Sequence, residues 1–322
     1  MAHMLEIDAN GKAKMAYSGE KPWHGLGKEV PKDLSPEQML KAAGLDWNVE
    51  KHPTFFEKNG EQIMTDKFAL VRSTDNTVLD TVSADWNPVQ NHTAFEFFND
   101  YVMAGDMEMN TAGSLKNGQI VWALAKVKDS FELFGGDRVD SYMMFTNPHH
   151  WGHSIDIRFT PIRVVCNNTL TMALKDTGCK NLVKVNHRQT FDPEQVKITL
   201  GIASEQLQQY KGQAMFLGSK RYKKETLKEY FKEIFPGLSQ NQNSVREMSK
   251  TAEIAFNNVI HTQPGSKYAE GSWWQAFNAV TFLVDHKIGR SQETRLTSSW
   301  FGLNRNLKHK ALVKALDYAE AA

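Results

Sequence analysis

HHWGHSIDIRFTPIRVVCNNTL, residues 149–170, is the stretch on which the fold of this chain turns. Within it Ile155, Ile157 and Phe159 alternate with Asp156, Arg158 and Thr160. A period of two belongs to a β-strand, so one face is expected to be apolar and the other to present a carboxylate, a guanidinium and a hydroxyl. Pro161 has no N–H to give to a ladder, which predicts an edge, a bulge or a bend there. Beyond it Val164, Val165 and Cys166 should be buried. The amides of Asn167 and Asn168, with Thr169, are expected to cap a following helix, Asn168 or Thr169 serving as N-cap.

Working toward the N-terminus, Gly118–Val127 (GQIVWALAKV) is apolar on both alternating faces, as in a strand covered on both sides. Phe131–Phe134 and Val139–Thr146 flank the turn Gly135-Gly136-Asp137 and predict a hairpin. Asn91–Ala104 carries Phe95, Phe98 and Val102 at helical spacing, with Gly105 as a stop. Trp47–Val82 reads as strands, including a hairpin of Phe68–Arg72 with Thr77–Val82 about Thr74-Asp75-Asn76. Leu34-Ser35-Pro36-Glu37-Gln38-Met39 predicts a helix start: Ser35 caps, Pro36 opens the helix, Gln38 completes a capping box, and Leu34 with Met39 forms a hydrophobic staple. Gly44 ends it. In Pro22–Gly27 (PWHGLG) the glycines permit a tight turn and Trp23 is expected to anchor a loop to the core. Residues 1–21 show no period and are expected to be flexible.

Toward the C-terminus the period changes near residue 190. Phe191-Asp192-Pro193-Glu194-Gln195-Val196 repeats the cap and staple of the first helix. Helices are predicted from Pro193 to around Ala214, over Lys224–Phe235, over Ser244–Ile260 with Ser244 and Glu247 as a capping box, over Trp273–His286 and over Leu307–Ala321. Pro236-Gly237 and Pro264-Gly265 break the connections. The expected class is α+β. A mostly antiparallel sheet domain with flanking helices spans 22–188, and an all-helical domain packed on it spans 189–322.

The 322 residues are 41% hydrophobic and 23% charged, which favours a globular chain over a disordered or fibrous one. No apolar run approaches the roughly eighteen residues of a membrane span. Without a basic, apolar and small-residue leader pattern, the expected location is the cytoplasm. Cys166 and Cys179 stand outside any C-x-x-C pair, which argues against a zinc ribbon or a disulfide framework and for reduced thiols. Residues 189–322 carry 18 Lys+Arg against 13 Asp+Glu (+5), leaving 20 against 24 (−4) before them. Seven of those basic residues fall in Lys287–Lys314, beside one acidic residue, Glu293. The asymmetry points to an anionic partner.

Phosphate-binding G-x-x-x-x-G-K-[ST] and G-x-G-x-x-G loops are missing, as is any recognisable nucleophile motif, and Cys166, directly after Val164 and Val165, is expected to be buried and inert. His149, His150 and His153 are the candidates for a metal site. They lack the i, i+4 helical spacing of known zinc motifs, and neither metal nor another cofactor is expected. Arg158 and Arg163 have two open readings: an internal salt bridge with Asp156, or guanidinium forks for phosphate or carboxylate. Trp273, Phe277, Val280 and Val284 make an apolar helix stripe. Asn278, Thr281 and Asp285 share another face, either water-facing or part of a groove for a nucleic-acid strand. The candidate anion-binding set is Arg158, Arg163, Asn167, Asn168, Lys287, Arg290, Arg295, Arg305 and Lys308. No catalytic residue is assigned.

PWHGLG at 22–27, TAGSLKNGQIVWALAKV at 111–127, GGDRV at 135–139, RFTPIRVVCNNTL at 158–170, NAVTFLVDH at 278–286 and SSWFG at 298–302 resemble the phage/plasmid-like protein family. The resemblance runs over nearly the whole chain. That family is a domain of unknown function found in phages, conjugative plasmids and genomic islands. The resemblance implies mobile-element DNA biology and supplies no catalytic residues. Together with the basic C-terminal part, it predicts a protein that binds nucleic acid, with single-stranded DNA as partner, acting as an annealing or recombination accessory that self-associates. Two alternatives stand beside it: a metal-dependent enzyme acting on nucleotides or nucleic acid through the histidine loop with Asp156 or Asp285, and an anti-defence binder of a host factor.

Overall fold

In the computed structural model, residues 5–8, 10–19, 25–163, 168–169, 182–196, 203–237, 248–289, 298–299 and 302–322 are described. The chain starts with strands β1 (Met15–Ser18) and β2 (Lys28–Val30) and helix α1 (Pro36–Ala42). Strands β3 (Val49–Lys58), β4 (Glu61–Arg72) and β5 (Val78–Ser83) form an antiparallel meander. Two short helices, α2 (Asn91–Glu96) and α3 (Asn99–Met103), lead to β6 (Met107–Leu115), β7 (Ile120–Leu133), β8 (Asp137–Pro148) and β9 (Ile155–Arg163). Next come β10 (Asn168–Thr169) and β11 (Leu182–Val185), both paired with β9. The larger sheet runs β10-β9-β8-β7-β6-β1-β2, with β11 also on β9. Helices α4 (Ala203–Ser219), α5 (Lys224–Ile234), α6 (Lys250–Ile254), α7 (Ile260–Thr262), α8 (Trp273–His286) and α9 (Leu303–Glu320) follow, with a π-helical turn at Ala255–Val259. The class is α+β, sheet-rich first and helical after. Among the described residues no helix is long and apolar enough to cross a membrane.

Contacts divide the chain into two compact units, and neither is one continuous segment. The first comprises Met1–Lys128, Tyr142–Phe159 and Lys180–Ala203; the second comprises Asp129–Ser141, Thr160–Cys179 and Ser204–Ala322. The change of period near residue 190 therefore falls inside the first unit. Met39, Leu40, Trp47, Phe95, Phe98, Met109, Ala123, Phe145, Ile155 and Ile157 belong to one core. Phe131, Leu133 and Val139 pack with Tyr230, Phe231, Trp273, Trp274, Phe277 and Leu312 in the other.

Local signals give local structure. Ser35 Oγ accepts from Gln38 N at 3.2 Å while Gln38 Oε1 accepts from Ser35 N at 2.8 Å, closing the expected capping box. Asp192 Oδ1 accepts from Glu194 N at 3.0 Å and Gln195 N at 3.2 Å, and Phe191 packs into the same core as Val196. In the turn before β5, Asn76 takes φ +57° and Asp75 Oδ1 accepts from Thr77 N at 3.0 Å.

Other expectations need correction. Residues 15–18, expected to be flexible, are the buried strand β1, whose Ala16 sits opposite Ala112 on one side and Lys28 on the other. Gly27 (φ +104°) makes this possible, because a Cβ there would lie 3.2 Å from both Met15 Cγ and Tyr17 Cδ1. The single helix expected at 91–104 is two, separated at Phe97 and Phe98, which are both buried. Ile120–Leu133 is one strand where a break was expected before Phe131. Asn168 and Thr169 extend the sheet opposite Arg163 and Ile162, and the helix they were expected to cap falls on residues outside the described ones. Strand β9 continues through Pro161. On that side its pairing with β11 ends at Arg158 and pairing with β10 begins at Ile162, so the missing N–H falls where the neighbouring strand changes. Ser249 caps α6, accepting from Ala252 N at 3.1 Å, and α4 runs past Ala214 to Ser219. Trp23, Val164, Val165, Cys166, Cys179, Ser244 and Glu247 lie outside the described residues.

Candidate functional site

The turn from β8 to β9 carries the histidines of the opening stretch. His149 is fully buried and its Nε2 meets Asn91 Oδ1 at 2.8 Å. Asn91 Nδ2 donates to Leu45 O at 3.1 Å, so Oδ1 is the acceptor and His149 Nε2 carries the hydrogen. His150 Nδ1 donates to Trp151 O at 3.0 Å. His187, beyond β11, donates from Nδ1 to Asn87 O at 3.1 Å and stacks on Trp86 at 4.0 Å. A carbonyl can only accept, so each ring has its second nitrogen bare: His149 Nδ1, His150 Nε2 and His187 Nε2 are buried and make no hydrogen bond. Burial pushes His149 down to about 3 and His187 down to about 4, and lowers His150 as well. These imidazoles are neutral at pH 7. Bare nitrogens of this kind suit a transition metal, yet among the described residues no three His, Cys, Asp or Glu side chains are arranged to hold one. His149 is committed to the core against Trp47, 5.4 Å between centroids, and His150 faces His153 at 4.5 Å.

The outer part of the same turn is different. Trp151 is 68% exposed, and its backbone N–H donates to Asp80 Oδ2 at 2.6 Å. Three causes lower the His153 pKa: burial first, then the charges of Lys116 and Lys184. Lys116 acts on His150 too. The sheet order explains the convergence. The β6–β7 turn, which holds Lys116 at φ +52°, and the β8–β9 turn lie at the same end of successive antiparallel strands. Lys184 on β11 sits opposite Asp156 at the start of β9, so it arrives at that end as well. Sequence reading found the turn and missed both lysines, which stand tens of residues away with no local motif.

Two members of the candidate anion-binding set, Arg158 and Lys308, prove to be internally committed. Arg158 is buried and pairs through Nε with Asp156 Oδ1 at 3.3 Å, so the strand face expected to be polar and open is covered. Lys308 is 1% exposed, and its Nζ meets Asp285 Oδ1 at 2.8 Å, an oxygen that also accepts from Ser299 Oγ at 3.0 Å. Asn278 and Thr281 are fully buried: Asn278 Nδ2 donates to Trp274 O at 2.8 Å and Thr281 Oγ1 to Asn278 O at 3.0 Å. The groove expected on that face of α8 is therefore filled, and Trp273 and Trp274 are core residues. Lys287 is exposed just past α8, and Arg305 is half-buried in the first turn of α9. Arg163 and Asn168 stand opposite one another by backbone, with no side chain described. Asn167, Arg290, Arg295, Trp300 and Phe301 lie outside the described residues.

Fold and site together define an α+β protein in which buried neutral imidazoles underlie a turn bearing an exposed indole, with two lysines nearby. The family described as a domain of unknown function (DUF932) matches residues 78–300, and the chain belongs to it. No curated protein and no solved structure matches the chain.

Proposed function

We propose that this protein binds single-stranded nucleic acid, as an annealing or recombination accessory of phages and other mobile elements acting in the bacterial cytoplasm. The strand is held where Trp151 stands with Lys116 and Lys184. The observation that carries this reading is the indole, 68% exposed on a turn whose neighbouring His153 senses both lysine charges. Exposed aromatics stack on bases, and lysines neutralise the backbone phosphates. His153, held neutral, adds a flat ring without adding charge. The mobile-element context comes from the sequence motifs, and the reading assigns no catalysis.

The test is anisotropy of a labelled oligothymidylate over a salt series. Binding should be measurable at low salt and weaken steeply as salt rises. Trp151→Ala should cost about 1–3 kcal/mol, as expected for one stacked base. Lys116→Ala and Lys184→Ala should each flatten the log–log salt slope by about 0.7, one released counterion's worth. No affinity for single-stranded DNA at low salt, or a clear preference for duplex, would sink the reading.

A further inference from the structure

Over Phe55–Met64, strands β3 and β4 are paired with each other, while β5 joins β4 only at Lys67–Val71. This part of the chain is a two-stranded ribbon with both faces in solvent: Phe55 is 52% exposed, Phe56 49%, Ile63 37% and Met64 57%. Its register is Phe55↔Met64, Phe56↔Ile63, Glu57↔Gln62 and Lys58↔Glu61, around Asn59-Gly60. Alternation puts Phe55, Met64, Glu57 and Gln62 on one face and Phe56, Ile63, Lys58 and Glu61 on the other. Isolated two-stranded ribbons are marginal in water, and exposed apolar pairs on one mark a surface that a partner covers.

Charge selects the partner. Residues 50–67 carry three lysines (Lys51, Lys58, Lys67) against four acids (Glu50, Glu57, Glu61, Asp66), a net −1, which disfavours a polyphosphate. The face with Lys58 and Glu61 is self-complementary. Turned about a two-fold axis along the ribbon, a second copy places its β4 over this β3. Phe56 then meets the partner's Ile63, Lys58 meets the partner's Glu61, and both contacts recur in reverse, as an isologous interface requires. The opposite face has no such ion pair, setting Glu57 against the partner's Gln62. Edge-to-edge pairing through β3 is opposed by Pro53 and by the register shift between Pro53 and Phe55.

We infer that this protein dimerises with a second copy of itself through the Phe56, Ile63, Lys58 and Glu61 face of the ribbon. This inference is independent of the nucleic-acid reading. A ribbon face of roughly 14 by 10 Å is small. It lies well under the ~1,200 Å² of stable interfaces, so the dimer is weak and concentration-dependent.

Sedimentation equilibrium of the full chain tests it, from about 1 μM to about 1 mM, the range in which so small an interface closes. The wild type should pass from monomer to dimer. Lys58→Glu and Glu61→Lys should each weaken association at least about tenfold, by setting like charges across the axis. An equimolar mixture of these two variants should dimerise again, because opposite charges then face each other, and no contact within one chain can produce that rescue. Phe56→Ser should weaken the dimer while leaving far-UV circular dichroism unchanged, and Phe55→Ser should leave association intact. A wild type that stays monomeric across the range, a mixture that fails to rescue, or dissociation by Phe55→Ser with no effect of Phe56→Ser would each overturn the inference.

Discussion

At the scale of single residues, burial decides which charges exist. An imidazole in the unfolded chain titrates near 6.5, whereas burial holds His187 down to about 4 and His149 down to about 3. Between those values the unfolded state binds the extra proton, so stability rises with pH. The contribution of both rings is whole above about pH 6.5 and drains as pH falls, down to about 4 for His187 and about 3 for His149. Urea midpoints should therefore drop between pH 7 and pH 4, and His187→Gln should flatten that dependence; an unchanged profile would contradict the assignment. The Lys308–Asp285 pair makes a second case. Lys308→Met strands a carboxylate in the second core and should cost about 3–5 kcal/mol in urea unfolding, whereas replacing both partners with apolar residues should cost far less. Lys308 and Lys310 are the same residue type two positions apart. Only the first turns inward to Asp285, while Lys310 reaches Glu233 O at the surface, and no reading of residue types separates them.

At the scale of elements, what is local was legible. Caps and staples operate over a few residues, so Ser35 with Gln38, and Asp192 with Phe191 and Val196, could be read directly. Ser35→Ala should lower stability by about 1 kcal/mol by leaving Gln38 N without its acceptor. Long-range demands were not legible. The segment from Asn91 to Met103 has a helical period. It breaks at Phe97 and Phe98, whose rings meet edge to face at 5.3 Å and both pack on Phe145, at 5.6 and 6.2 Å. Gly218 is another such position. Within α4, glycine to alanine would normally stabilise. A Cβ there would stand 1.8 Å from Phe134 Cζ. Gly218→Ala should therefore reverse the usual sign and destabilise by about 1–3 kcal/mol, read from thermal midpoints.

At the scale of the whole molecule, chain order and compactness part ways. The second unit takes Phe131, Leu133 and Val139 from the β7–β8 hairpin into its core, and Asp137 Oδ2 accepts from Trp274 Nε1 at 3.0 Å. A fragment of 189–322 alone lacks these residues. It should show no cooperative urea transition, and a sharp one would contradict the interleaving. The N-terminal segment is tied in a comparable way within the first unit. Buried Glu6 accepts from Arg72 Nη1 and, at 2.7 Å, from Ser114 Oγ. Glu6→Ala takes from the buried Arg72 guanidinium one of its two carboxylates, leaving Asp75 at 3.0 Å and the Thr77 hydroxyl at 3.5 Å, and should open residues 5–18 to limited proteolysis.

By itself the sequence determined the α+β order, the hairpins, the helix starts at Ser35 and Asp192 and the turn that carries the histidines. Each of these follows from side-chain period or from hydrogen bonds spanning a few residues. Only the tertiary structure decided which charges remain available. Arg158 and Lys308 are paired inside, and Asn278 and Thr281 are buried. Lys116, from the β6–β7 turn, and Lys184, from β11, come to the Trp151 turn from far along the chain. Burial and pairing depend on neighbours brought together by sheet order and helix packing, and that information is absent from any window of the sequence short enough to show a motif.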